Sequence, residues 1–132
     1  MSMKLQHIGI AVKNIKERLK IWRDVLGLHF EMIEDVPQQK VRVAVLDIGG
    51  LKIELLEALE EGSTIATFIE KKGEGLHHLC LEVEDIEDML LKLKQQGVKL
   101  IDEVPREGAS GKKIAFIHPR DMGGVLIELT QK

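Results

Sequence analysis

The chain has 132 residues, 44% of them hydrophobic and 31% charged, with a formal net charge of −3 at pH 7. That length suits one compact domain or two small modules sharing a core, and the composition is that of an ordinary soluble globular protein. The excess of acid over base argues against nucleic acid as a partner. No apolar run approaches the roughly 20 residues needed to cross a bilayer, and the N-terminus lacks the apolar block of a secretory signal. The single cysteine, Cys80, rules out an internal disulfide and fits a reducing compartment, so the expected setting is the cytoplasm.

Period-two alternation predicts a first strand over 4–12, with Ile8, Ile10 and Val12 on a core face and His7, Gly9 and Ala11 on a small, polar one. Asn14 is an N-cap for a helix whose apolar stripe is Ile15, Leu19, Trp22 and Leu26, ended by Gly27. Strands are expected over 29–34, 41–47 and 51–56, with turns at Pro37 and Gly49-Gly50. Residues 57–75 form a connector in which Ser63 caps a short helix carrying Ile65, Ala66, Phe68 and Ile69. A strand over 76–83 then leads to Asp85, the N-cap of a helix with Ile86, Met89, Leu90 and Leu93, stopped by Gly97. Further strands are expected over 99–103, 113–118 and 123–130, with loops at 105–111 and 119–124.

The order βαβββ thus occurs twice, and the two copies share residues as well as pattern. His7-Ile-Gly-Ile-Ala-Val matches His78-Leu-Cys-Leu-Glu-Val, 71 positions on, and Gly49-Gly-Leu-Lys-Ile-Glu-Leu matches Gly123-Gly-Val-Leu-Ile-Glu-Leu, 74 positions on. The implied fold class is α+β: a single domain over 1–132, made of module one (4–56), a connector (57–75) and module two (76–132). One helix per module covers one face of four strands. The two modules would form a curved mixed sheet whose inner face is left as a cleft.

Parity decides where the repeated polar residues point. Leu51, Ile53 and Leu55 form the apolar face of one closing strand, and Val125, Ile127 and Leu129 that of the other, so Glu54 and Glu128 take the opposite face. His7 and His78 also lie opposite the helix-facing residues of their strands. Any one of these residues alone reads more simply as a hydrogen-bonding histidine or a solvated glutamate. Two His and two Glu related by an internal repeat form the N/O donor set of a mononuclear divalent ion with positions open for water or substrate. The absence of thiolate argues against structural zinc and for Co²⁺, Mn²⁺, Ni²⁺ or catalytic Zn²⁺. His77 has the opposite parity and is assigned hydrogen bonding at a strand start. His29 and His118 have no partner in the repeat, and Cys80 is expected to be a small side chain lining the cleft.

These stretches, together with Glu54-Leu-Leu-Glu, Ser63-Thr-Ile-Ala, Gly75-Leu-His-His-Leu-Cys and Gly111-Lys-Lys-Ile-Ala-Phe-Ile-His-Pro, resemble the vicinal oxygen chelate superfamily (glyoxalase/bleomycin resistance/dioxygenase) over nearly the whole chain. Within it they look like the methylmalonyl-CoA epimerase family. The resemblance implies metal ligands at His7, Glu54, His78 and Glu128, one divalent ion per chain (Co²⁺ foremost), an acyl-CoA substrate and a homodimer. It also implies epimerisation at C2 through an enolate, with Glu128 as acid–base on one face. In some members of the family the chain resembles, the second base stands on the strand corresponding to Val41 to Leu46. The aligned Val43 carries no proton here, so Glu54 or a metal-bound water is the candidate for the other face. The loop from Gly108 to Lys113 is a candidate contact for CoA phosphates or the acyl carboxylate, with neither Lys112 nor Lys113 singled out. The rival readings are a lactoylglutathione lyase with the same ligand set and a metal-free binding protein of the same fold. An extradiol dioxygenase is poorly supported by three Phe, one Trp and no Tyr.

Overall fold

The computed structural model describes residues 3–132, which divide into two compact units, His7–His77 and His78–Lys132, the second taken with the described residues that precede His7. Module one runs β1 (Lys4–Ala11), α1 (Ile15–Trp22), β2 (His29–Val36), β3 (Val41–Ile48) and β4 (Leu51–Ala58). A connecting helix α2 (Thr64–Lys72) leads to module two, with β5 (Gly75–Val83), α3 (Ile86–Gln95), β6 (Arg106–Glu107), β7 (Lys113–Ile117) and β8 (Ile127–Gln131). No helix of the described residues is long and apolar enough to cross a membrane.

Both modules are wired alike. Module one has strand order β2-β3-β4-β1 and module two β6-β7-β8-β5. In each, the histidine-bearing strand lies parallel to the closing strand, and the other pairs are antiparallel. Gly9 faces Glu54 in the first register and Cys80 faces Glu128 in the second, so the repeat seen in sequence is a repeat of hydrogen-bonding register. One core cluster holds Ile15 and Leu19 of α1 against Ala44, Leu46, Ile53 and Leu55. The other holds Ile86 and Leu90 of α3 against Ala115, Ile117, Ile127 and Leu129. Each of these Ile and Leu side chains removed from water contributes about 1.5–3 kcal/mol.

The caps follow the sequence. Asn14, Ser63 and Asp85 accept from the backbone N–H groups of Glu17, Ala66 and Asp88. A second capping device spans far more chain. The Glu57 carboxylate accepts from Ile15 N–H at 2.7 Å, and the Gln131 amide oxygen accepts from Ile86 N–H at 2.8 Å. Each closing strand therefore holds the first turn of its own module's helix.

Four expectations are corrected. Helix α1 ends at Trp22, not near Leu26: the N–H groups of Asp24 and Leu26 bond five residues back, to Leu19 and Ile21. This widened turn swings Leu26 out to 61% exposure. The strand expected over 99–103 is reduced to one bridge, Leu100 to Ile117. The Asp102 carboxylate takes the Phe116 N–H at 2.8 Å, replacing the strand carbonyl that would have continued the ladder, and β6 forms later, inside the expected loop. Strand β8 starts at Ile127 because Gly123 and Gly124 both have positive φ and belong to the turn. Finally, the inner face of module one is not open throughout. Ile65, Phe68 and Ile69 of α2 pack on Ala11, Val41, Val43 and Leu56, so the β1 face expected to be merely small and polar is itself buried.

In module two the loop after β6 covers the corresponding strand position. A Cβ on Gly108 would lie 2.7 Å from Ile114 Cγ2 and 2.9 Å from its Cδ1, so this loop sits directly on Ile114 only because residue 108 has no side chain.

Candidate active site

Strand parity and register bring the expected residues together pairwise, one pair in each module. In module one, His7 Nδ1 lies 3.3 Å from Glu54 Oε2. In module two, His78 Nε2 lies 3.0 Å from Glu128 Oε1. Both imidazoles are buried, at 6% exposure, and the carboxylates are only partly accessible. The cause is the same in both halves: the glutamate stands opposite the residue two positions after the histidine on the neighbouring parallel strand, so both side chains rise from the same face. The two halves differ in which ring nitrogen meets the carboxylate, Nδ1 in one and Nε2 in the other.

The donor chemistry of each pair suits a divalent ion. A borderline nitrogen and a hard carboxylate oxygen separated by 3.0–3.3 Å match neighbouring ligands on an octahedral ion with bonds of about 2.0–2.2 Å, whose separation is about 3 Å. Each module thus carries one nitrogen and one carboxylate oxygen of the kind such an ion takes.

The surroundings of the pairs are not alike. Cys80, fully buried, stands beside Glu128 where module one has Gly9 beside Glu54; it is sealed in the structure rather than lining open surface. On the other flank of Glu128 the register places Phe116, and the same flank of Glu54 carries Val45. The Phe116 ring meets His78 edge-on, with centroids 6.2 Å apart, and the Arg106 guanidinium lies over the same ring at 5.2 Å. Phe116 and Arg106 did not emerge from sequence patterning. Carrying the 71-residue offset from Val45 would have found Phe116, but Arg106 depends on the short β6 that the turn-rich composition hid.

The remaining histidines fall outside both pairs. His77 packs edge-on against Phe68 of α2, with centroids 4.9 Å apart, in keeping with its opposite parity. His29 is exposed on β2, and His118 Nδ1 accepts from Arg120 N–H to cap a short turn. Lys113 is committed to Glu87 of α3, 2.8 Å away.

Comparison with known proteins agrees with this architecture. Residues 6–116 match the family model of the glyoxalase/bleomycin resistance protein/dioxygenase superfamily. The ethylmalonyl-CoA/methylmalonyl-CoA epimerase of Cereibacter sphaeroides is 40% identical, covering 97% of each chain. Methylmalonyl-CoA epimerase from Mycobacterium tuberculosis superposes with a TM-score of 0.89 at 40% identity, covering 96% of this chain and 86% of that one. A hypothetical protein of Bacillus halodurans C-125 does so at 0.97 and 48%, covering 100% and 96%. Lactoylglutathione lyase of Neisseria meningitidis is more distant, at 26% identity over 98% of this chain and 91% of that one. The chain belongs to the glyoxalase/bleomycin resistance protein/dioxygenase superfamily and, within it, to the methylmalonyl-CoA epimerases.

Proposed function

We propose that the protein interconverts the two C2 epimers of methylmalonyl-CoA, and that His7, Glu54, His78 and Glu128 together hold one divalent ion. The observation that carries this reading is the matched His–Glu pair in each module, at the same strand register and nearly the same separation. A bound ion, with Co²⁺ first among Co²⁺, Mn²⁺, Ni²⁺ and Zn²⁺, would supply Lewis-acid stabilisation to the negative charge that develops on the thioester oxygen.

The chain's own residues supply the proton transfers. The C2 proton is acidic because a thioester carbonyl and a carboxylate flank it, and its removal leaves an enolate. Epimerisation then needs one acid–base group on each face of the enolate plane. Glu128 serves one face. Glu54, its counterpart in the repeat, serves the other: Val43, on the strand where another base would stand, is a hydrocarbon packed with Ala11, Leu56 and Ile65 and can carry no proton. Burial of His7 and His78 keeps competing water away and holds each ring against its carboxylate.

In this reading the two modules form one domain, and the chain works as a cytoplasmic homodimer. Light scattering on the purified protein tests the second point. The function itself is tested by giving the Co²⁺-reconstituted protein one stereoisomer of methylmalonyl-CoA in deuterated water, beside methylglyoxal with glutathione. Formation of the other stereoisomer with deuterium at C2 is the expected result. Turnover of the glutathione adduct alone would overturn the reading.

A further inference from the structure

Strand β6 pairs with β7 so that Arg106 stands opposite Ile114, two residues before Phe116 and therefore on the same face as Phe116, Glu128 and His78. Its guanidinium lies 5.2 Å over the Phe116 ring, which makes a T-shaped contact with the His78 ring. Asp102 holds the Nε side at 3.3 Å, and Asp102 is itself fixed by the Phe116 N–H. The plane of the guanidinium is thus set by an aromatic face and a carboxylate, while 54% of the side chain stays open to solvent. Module one has the opposite charge at the matching position. Val43 corresponds to Ile114, and its β2 partner is Glu34. The face of module two that carries Glu128 and His78 therefore bears a cation, where the matching position of module one bears an acid.

We propose that Arg106 is a specificity-determining residue that binds the free carboxylate of a malonyl-type acyl group and so selects α-carboxyacyl-CoA thioesters over simple acyl-CoA thioesters. This inference rests on the epimerase reading. The free carboxylate is a better match than a CoA phosphate because Arg106 is one aromatic ring away from His78, the scale of an acyl group, whereas the phosphates are separated from the thioester by the whole pantetheine arm. A planar fork fixed along one edge also suits the two oxygens of a carboxylate.

Calorimetric titration of the Co²⁺-loaded protein with malonyl-CoA, propionyl-CoA and CoA tests this without turnover. In R106Q, affinity for malonyl-CoA should fall about 10- to 100-fold, the range for loss of a charge-assisted hydrogen bond, with propionyl-CoA and CoA changed less than about twofold. R106K, which keeps the charge but not the fork, should lose part of the malonyl-CoA affinity. It carries the test alone if R106Q does not fold. Equal loss for malonyl-CoA and propionyl-CoA, or unchanged malonyl-CoA binding, would overturn the proposal. A wild type that shows the Arg106-dependent preference yet leaves methylmalonyl-CoA unconverted would instead break the epimerase reading.

Discussion

Modules one and two share connectivity, register, capping device and a His–carboxylate pair, but they differ in what surrounds that pair. Module one backs its second face with α2 and flanks Glu54 with the small residues Gly9 and Val45. Module two covers Ile114 with a glycine-dependent loop and flanks Glu128 with Cys80 and Phe116, and Arg106 lies above that ring. The duplicated frame gives each module a His–carboxylate pair at the same strand register. The unequal flanks place an aromatic ring and a cation near the pair of module two and small side chains near that of module one. In the proposed function, the symmetric part serves proton transfer and the asymmetric part substrate recognition.

The largest expected effects test the symmetric part. Glu128→Gln and Glu54→Gln should each lower epimerisation about 10²- to 10⁴-fold, the range for losing a general acid–base. Each should abolish C2 exchange with deuterated solvent from a different stereoisomer. Full epimerisation by Glu54→Gln would mean that module one supplies no base. Next comes a structural asymmetry. Gly108→Ala forces its new Cβ onto the Ile114 side chain and should cost about 1–3 kcal/mol in urea unfolding, as overpacking does; an unchanged midpoint would show that the loop lifts off freely.

The long-range caps sharpen the comparison further. Glu57→Ala and Gln131→Ala remove equivalent acceptors from α1 and α3, and each should cost about 0.5–2 kcal/mol. The charged acceptor should matter more, because bonds to ions are the stronger ones. Equal losses would remove that distinction. The smallest effect concerns Glu74, which has no counterpart in module two. Hydrogen bonding from Arg18, and then from the Lys13 N–H, holds its carboxyl below the ordinary value of 4.5. A carboxylate lowered on folding stabilises the native state fully above its unfolded pKa and loses that contribution as pH falls through the folded one. The wild type should therefore unfold at higher urea than Glu74→Gln near neutral pH, and the gap should close as pH drops below the ordinary carboxylate range.

Much of this was legible in the sequence because it is local or repeated. The caps at Asn14, Ser63 and Asp85 use side chains three residues from their partners. The His–Glu pairs follow from strand parity applied twice at nearly one offset. What escaped is non-local. Glu57 and Gln131 reach helices more than 40 residues away. Burial of Val43 and Ala11 depends on α2 folding back over them. The replacement of a strand by Asp102 is one side-chain bond that no periodicity records. Arg106 is hidden for the same reason: its position is set by a two-residue strand that is defined only by its pairing with β7.

Metal stoichiometry tests most directly the proposal that the two pairs act as one site. Equilibrium dialysis of the wild type against Co²⁺ should give one tightly held ion per chain. His7→Ala and His78→Ala, each removing a ligand from a different module, should both abolish it. Two ions per chain, or retention of tight binding when one module has lost its histidine, would contradict the account.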